Sequence, residues 1–340
     1  MISFCNNKHQ SLAQTVVLKV PGDDDFSSVK YTPVPSGFDT PKLSFTGLCT
    51  GQEKVFLLCP GEPSAIAILA GKDLSCLSTQ FLPEIFDAHS VIYHEGKLYI
   101  ASTGTDEIIA YDVMDNLLLS PEIVWKASDT HKDTHHVNSI INIEGDFYIS
   151  AFGPKNGELH SSAKNGYIHN ISRDERIKGN IYHPHTLAAR NETIYFCESS
   201  SGNFCSIEET LFHLNGYARG IAWLDDNTIA VATSIGRKKS KSTGKVLNPA
   251  DPGAPIGSCA VSIYRLDPKA CLTTIDFSDF SSEIYDILNL DHHYDLSKLG
   301  IKAFLQERNG FNQKVSRLQA MLKSNQHMIA TLKDDPANQK

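Results

Sequence analysis

The sequence predicts an all-β protein, a six-bladed β-propeller with seven blades as the alternative, and three observations support this prediction. Runs rich in β-branched and aromatic residues alternate with short turn signals, as in successive β-hairpins. The strand–turn–strand pattern recurs at intervals of roughly 35–50 residues, the length of a four-stranded blade. The repeats also lack the 3.6-residue apolar spacing that helical repeats of similar length would show.

The clearest repeat covers residues 89–113, where HSVIYH, KLYIAST and EIIAYDV are separated by Glu95-Gly96 and by a turn at 104–106. Similar strand–turn–strand units occupy 46–59, 137–152, 185–199 and 219–234. When the second strands are aligned on Phe56, Tyr99, Tyr148, Tyr195 and Ala230, the equivalent first-strand residues are Thr46, His89, Asn138, His185 and Gly220, with Arg219 beside it.

The two ends of the chain are expected to close the ring. Residues 283–290 predict a sixth inner strand, and the N-terminal runs 14–20 and 29–34 would complete its blade and remove free sheet edges. The propeller domain would therefore span 1–298. The remainder, 299–340, is predicted to contain an amphipathic helix, because its apolar residues step by three and four positions. These apolar residues are Phe311, Val315, Leu318 and Leu322.

Composition excludes several classes of function. The net charge of −8 argues against nucleic acid or an anionic membrane as the main partner. There is no apolar run long enough to span a membrane and no secretory signal, so the expected location is the cytoplasm. The eight cysteines form no C-x-x-C pair, which is typical of reduced thiols.

The candidate functional residues lie on the predicted first strands, which line the central channel of a propeller. His89, Asn138 and His185 occupy equivalent positions, and His136 and His183 precede two of them by two residues, on the same strand face. Arg219 adds a cation at the corresponding place in the next blade.

These residue types support two kinds of chemistry. His89, His136 and His185 are candidate ligands of a divalent metal such as Zn, Mn, Fe or Ca, with Asn138 as a further ligand or orienting amide. The same histidines could instead act as acid and base. Glu198 is a reserve acid, base or ligand, although an inter-blade salt bridge would explain it equally well.

An anionic substrate is expected, because Arg219 and Arg237, assisted by His183, could bind a carboxylate or phosphate. Two long segments, 153–165 and 236–258, interrupt blades after their second strands, as functional loops often do. The second of them carries a basic run, 237–245. This run either lies over the channel and binds the anionic substrate, or it is a solvated surface loop. It lacks the G-x-x-x-x-G-K-[ST] motif, so no nucleotide cofactor is expected.

Several short motifs carry a resemblance to a known family. They are H-V-N-S at 136–139, H-P-H-T at 183–186, G-Y-A-R-G-I at 216–221 and A-T-S-I-G-R at 232–237. Across roughly residues 80–290 the chain resembles an uncharacterised bacterial β-propeller family known only as a domain of unknown function. The resemblance implies a propeller with a polar channel.

Two functions follow as hypotheses. The first is an enzyme that acts on a small anionic metabolite in the channel by lyase, hydrolase or isomerase chemistry, with or without a metal. The second is a non-catalytic scaffold that holds a protein partner, or a second copy of itself, through the predicted C-terminal helix. Fold alone does not decide between them, because propellers serve both roles.

Overall fold

The computed structural model describes residues 1–5, 15–19, 30–33, 44–157, 160–235, 257–279 and 281–290. These residues form four-stranded antiparallel sheets arranged as a β-propeller, which confirms the predicted all-β class. The helical elements within them are two 3-10 turns, η1 (His160–Ser162) and η2 (Ser199–Ser201). No helix in these ranges is long and apolar enough to cross a membrane.

Five sheets each consist of four strands that are consecutive in sequence. From inner to outer, the first two are β4 (Leu48–Gly51), β5 (Lys54–Cys59), β6 (Ser64–Ala70), β7 (Cys76–Leu82), and β8 (Ala88–His94), β9 (Lys97–Ser102), β10 (Glu107–Met114), β11 (Leu117–Lys126). The third and fourth are β12 (Val137–Ile143), β13 (Asp146–Ala151), β14 (Gly166–Asn170), β15 (Glu175–Ile181), and β16 (Pro184–Arg190), β17 (Thr193–Glu198), β18 (Asn203–Ser206), β19 (Thr210–His213). The fifth is β20 (Tyr217–Trp223), β21 (Thr228–Ser234), β22 (Ala260–Arg265) and β23 (Ala270–Asp276).

A sixth four-stranded sheet combines both ends of the described chain. Its order is β24 (Ile284–Ile287), β1 (Ile2–Phe4), β2 (Thr15–Lys19) and β3 (Lys30–Pro33). Sequence reasoning anticipated β2, β3 and β24 but missed β1, since three residues are too few to show an alternating pattern. Sheets of four consecutive strands therefore number five among the described residues, against the six blades predicted. The predicted C-terminal helix, the basic loop and Arg237 lie outside the described residues.

The core lies between neighbouring blades. In the largest cluster, Phe56 and Ile66 of the first blade pack against Val91, Ile100 and Tyr111 of the second. Because each sheet is covered on both faces, its middle strands are continuous apolar runs, such as SAIAILA in β6, which is buried throughout. The outermost strands β7 and β11 are largely exposed.

Strand pairing corrects one detail of the predicted register. The second-strand residues on which the repeats were aligned are Phe56, Tyr99, Tyr148, Tyr195 and Ala230. Their partners on the first strands are, in the same order, Cys49, Ile92, Ile141, Ala188 and Ala222. Three residues before these partners stand Thr46, His89, Asn138, His185 and Arg219. Arg219, rather than Gly220, is therefore the equivalent of His185. The prediction was one residue out because Ala222 and Ala230 are eight positions apart, whereas the corresponding pairs in the other four blades are seven apart.

Gly220 has a different role, at an irregularity of the inner strand between Arg219 and Ile221. Its φ of +69° is in the left-handed region, and an added Cβ would lie 3.1 Å from the backbone of Asp286. Glycine at this position satisfies both requirements.

Candidate functional site

Propeller topology gathers the candidate residues at one end of the molecule. Successive strands of each sheet are antiparallel, so all first strands begin at the same end. The loops between fourth and first strands, and those between second and third strands, lie at that end too. Residues 127–136, 152–157 and 160–165 belong to such loops and flank the start of β12.

Seven side chains form a closed circuit of contacts around the channel, which we call the channel ring. Its members are His89, His136, Phe152, His185, Tyr217, Arg219 and Tyr285. Ring centroids are 5.0 Å apart for His89–His136, 4.3 Å for His136–Phe152, 4.9 Å for Phe152–His185, 5.4 Å for His185–Tyr217 and 5.1 Å for Tyr285–His89. The circuit is completed by the guanidinium carbon of Arg219, which lies 5.0 Å from the Tyr217 ring and 4.9 Å from the Tyr285 ring.

Beside the channel ring, Asp133, His136 and His160 form a group that we call the metal triad. The Asp133 carboxylate lies 3.2 Å from Nδ1 of His136 and 2.8 Å from Nε2 of His160. One potential ligand atom from each residue lies within 4.8 Å of the other two, so a single ion could contact all three. Two imidazoles and a carboxylate are a donor set used for zinc and for iron.

The protonation states of His136 and Asp133 suit a cation. Burial lowers the pKa of His136 to about 4, so its ring is neutral at pH 7. Burial opposes ionisation of Asp133, but its interactions with His136 and His160 outweigh that effect and lower the carboxyl pKa. A neutral imidazole and an ionised carboxylate are the forms in which these groups bind metals.

A buried carboxylate, Asp106, holds the loop that carries two residues of the metal triad. Its Oδ2 accepts hydrogen bonds from the backbone N–H of Thr134 at 2.6 Å and of His135 at 2.7 Å. Oδ1 accepts from the N–H of Val137 at 3.2 Å. Asp106 is fully buried. This second-blade residue therefore fixes the approach to β12, a role that sequence reasoning missed when it assigned Asp106 to a turn.

His185 is fixed by hydrogen bonds on one side of its ring. Its Nδ1 lies 2.7 Å from the Ser199 hydroxyl and 3.3 Å from the carbonyl oxygen of His183, and Ser199 in turn donates to the carbonyl of Ala218 at 2.5 Å. Burial lowers the pKa of His185 well below its ordinary value. The ring is therefore neutral and rigidly oriented.

His183 and Glu198 lie outside the channel ring. His183 stacks on Phe152 with a centroid distance of 4.2 Å, and its Nε2 lies 3.0 Å from the carbonyl oxygen of His160. Glu198 accepts hydrogen bonds from the backbone N–H of Tyr182 and the side chain of Asn203, at 3.1 and 2.9 Å. In these positions His183 supports the metal-triad loop and Glu198 braces the turn before β16.

Asn138 is buried and joins two blades. Its Nδ2 donates to the carbonyl oxygens of Pro184 at 2.9 Å and His136 at 3.2 Å, and its Oδ1 accepts from Ser150 at 2.8 Å. With both ends of the amide engaged, Asn138 positions the starts of β12 and β16.

Replacing Asn138 by alanine is therefore expected to lower the free energy of unfolding by about 2–4 kcal/mol, because buried carbonyls and a hydroxyl lose their partners. Urea denaturation measures this change. Asn142→Ala, on the same strand but bonded only to an exposed turn N–H, serves as the control and should change stability by less than about 0.5 kcal/mol. Equal effects of the two substitutions would contradict the bracing role.

The structure gathers a different metal-binding set from the predicted one. His136 belongs to the metal triad, but His89 and His185 do not join it in a group of that compactness within the described part of the chain. They lie in the channel ring on either side of it. Sequence reasoning missed Asp133 and His160, although Asp133 precedes His136 by three residues and His160 lies in the loop already noted as unusually long.

Comparisons with known proteins agree with the fold. A family model described as "Domain of unknown function (DUF4915)" matches residues 78–295, more than half of the chain. None of the curated proteins matches the sequence. A chain of the nidogen/laminin complex superposes with a TM-score of 0.56 at 9% identity, covering 83% of this chain and 95% of that one. The luciferin-regenerating enzyme superposes with a TM-score of 0.50 at 13% identity, covering 68% and 76%.

Proposed function

This chain belongs to the DUF4915 family, a domain of unknown function, and from its site we propose a channel enzyme that acts on a small anionic metabolite. The proposed chemistry is that of a lyase, hydrolase or isomerase, assisted by a divalent metal at the metal triad. The single observation that carries the proposal is the juxtaposition of the metal triad and the channel ring, which share His136.

The chemistry of these groups supports the proposal. A divalent cation held by Asp133, His136 and His160 would polarise a substrate oxygen or lower the pKa of a bound water. The neighbouring imidazoles of His89 and His185 can take part in proton transfer, and the guanidinium of Arg219 can bind a carboxylate or phosphate. Proton acceptors and an anion-binding group thus flank one metal-binding group, as an enzyme of this kind requires.

Other features support parts of the wider proposal. All eight cysteines are free thiols, which favours a reducing compartment such as the cytoplasm. Counting the composite sheet as a blade gives a six-bladed ring.

Similarity to the luciferin-regenerating enzyme shows only that the fold is found in an enzyme. The nidogen/laminin chain shows that the same fold also serves in a protein complex.

One observation favours a scaffold as the second candidate function. Phe81 on β7 is 72% exposed, and Leu119 and Ile123 on β11 are 41% and 51% exposed. The two outer strands lie side by side, because the Gln80 side chain donates to and accepts from the backbone of Leu118 at 2.8 and 2.9 Å. Exposed apolar side chains on outer strands are common where proteins bind other proteins.

Turnover by purified protein distinguishes the two functions. The full chain, supplied with Zn²⁺, Mn²⁺ or Fe²⁺, would be incubated with a mixture of small carboxylates and phosphates and followed by mass spectrometry. We expect metal-dependent loss of an anionic compound, and no loss with His136→Asn or after chelation. His213→Asn, at an exposed position on β19, should retain turnover. Turnover that persists after chelation would contradict the metal, and absence of turnover with every metal would favour the scaffold.

A further inference from the structure

The hydrogen bonds of His185 determine which of its ring nitrogens carries the proton. The carbonyl oxygen of His183, near Nδ1, can only accept. The Ser199 hydroxyl has one proton, which it donates to Ala218, so it too accepts from Nδ1. His185 is therefore the Nδ1-protonated tautomer, and its Nε2 carries a lone pair. Nε2 is buried and has no hydrogen-bond partner among the described residues.

His89 presents a second lone pair by the same logic. Its Nε2 lies 3.4 Å from the Asp87 carboxylate. A carboxylate can only accept a hydrogen bond, so a neutral ring with its proton on Nε2, toward Asp87, presents its lone pair at Nδ1. Nδ1 of His89 is also buried without a partner in the described part of the chain.

Hydrogen-bond donors lie on the other side of the channel ring. Burial raises the pKa of Tyr285 well above its ordinary value, so its hydroxyl keeps its proton, and it too is buried without a hydrogen-bond partner among the described residues. The guanidinium of Arg219 lies against the Tyr285 ring. The channel ring is therefore polarised, with two imidazole acceptors on one side and a phenol and a guanidinium on the other.

We propose that the channel ring binds a small hydroxy acid, with its carboxylate against Arg219 and Tyr285 and its hydroxyl donating to Nε2 of His185. A carboxylate matches the guanidinium and phenol donors, whereas a hydroxyl supplies the proton that the imidazole lone pair lacks. An unpaired buried polar atom costs free energy, so a ligand that pairs both the Tyr285 hydroxyl and Nε2 of His185 is favoured over one that pairs only one of them. This proposal names a substrate class for the channel that is proposed above as the active site, and in that respect alone it rests on the proposed function.

Lactate and propionate differ by one hydroxyl and test the proposal by calorimetric titration. The protein would be the full chain with Asp133→Ala, in chelator, so that the metal triad plays no part. We expect lactate to bind at least about 10-fold more tightly than propionate, because a site built to pair a hydroxyl rejects the analogue without it. Equal affinities, binding of inorganic phosphate but not lactate, or absence of lactate binding would overturn the proposal.

Two further substitutions, each added to Asp133→Ala, assign the ends of the ligand. His185→Phe should bring the lactate-to-propionate ratio close to one, and Arg219→Lys should weaken both acids together by about 10-fold, since an ammonium lacks the planar fork. His213→Phe is the matched control and should change neither. A ratio that survives His185→Phe in folded protein would overturn the assignment of the hydroxyl.

Nuclear magnetic resonance of the chain without any substitution at His185 gives a test that does not depend on whether His185→Phe folds. Long-range ¹H–¹⁵N spectra should show an unprotonated Nε2 in His185 that shifts on addition of lactate and not of propionate. A protonated Nε2 in the free protein would overturn the proposal. If lactate fails to bind yet the metal-loaded protein turns over another anion, the proposed function stands and this inference alone fails.

Discussion

Asp133→Ala is expected to reduce the affinity of the protein for Zn²⁺ by more than about 100-fold, because loss of even an outer partner of a metal ligand typically costs 10–100-fold. Asp133 is the only member of the metal triad that supplies a negative charge, and it contacts both imidazoles. Its removal leaves two imidazole donors. Competition with a chromophoric chelator measures the affinity, and elemental analysis of the unsubstituted protein should give about one ion per chain.

His160→Ala should have a similar effect through loss of one imidazole, with His213→Ala as the control. His213 is exposed and its Nδ1 lies 2.8 Å from the Asn203 side chain, so its substitution should leave zinc binding unchanged. Circular dichroism establishes that each variant is folded. Tight zinc binding that persists in both Asp133→Ala and His160→Ala would place the ion elsewhere, and the channel histidines His89, His136 and His185 would then be the set to test.

Asp106→Ala is expected to lower the free energy of unfolding by at least about 4 kcal/mol. The buried carboxylate accepts three backbone hydrogen bonds, and it also accepts one from the Thr134 hydroxyl at 2.8 Å. Hydrogen bonds to charged groups each contribute about 1.5–3 kcal/mol, and their donors would be left unpaired in a closed site. Because these bonds hold the loop before β12, zinc affinity should fall with stability.

Denaturant unfolding followed by fluorescence measures the effect of Asp106→Ala. Asp129→Ala is the matched control, since Asp129 lies in the same loop but is exposed and pairs with the exposed Lys126, so we expect the stability of the unsubstituted chain to be retained. Asp106→Asn should be intermediate, because its amide keeps one acceptor oxygen and turns an N–H₂ group toward donors. If Asp106→Ala were as stable as the control, the loop would have to be held by other contacts.

The strand order of the consecutive blades was predictable because it is encoded locally. A hairpin joins neighbouring residues, so turn signals such as Glu95-Gly96 and Glu144-Gly145 set which residues pair across it. His89 and His185 were placed at the channel in this way. The same reasoning failed by one residue at Arg219, where the hairpin turn is longer, and it missed β1, whose partner β24 lies at the other end of the described chain.

By itself the sequence determined the propeller class, the inner-strand positions and the polar character of the channel, since these depend on periodicity and on hairpins. Only the tertiary structure decided what those residues do. Asp133 and His160 meet because the loop that leads into β12 and the loop that follows β13 lie at the same end of the propeller. The lone pair of His185 is set by Ser199 and Ala218, and Ala218 belongs to the next blade. Such contacts join residues far apart in the chain, and the closing of the ring, rather than any local pattern, brings them within hydrogen-bonding distance.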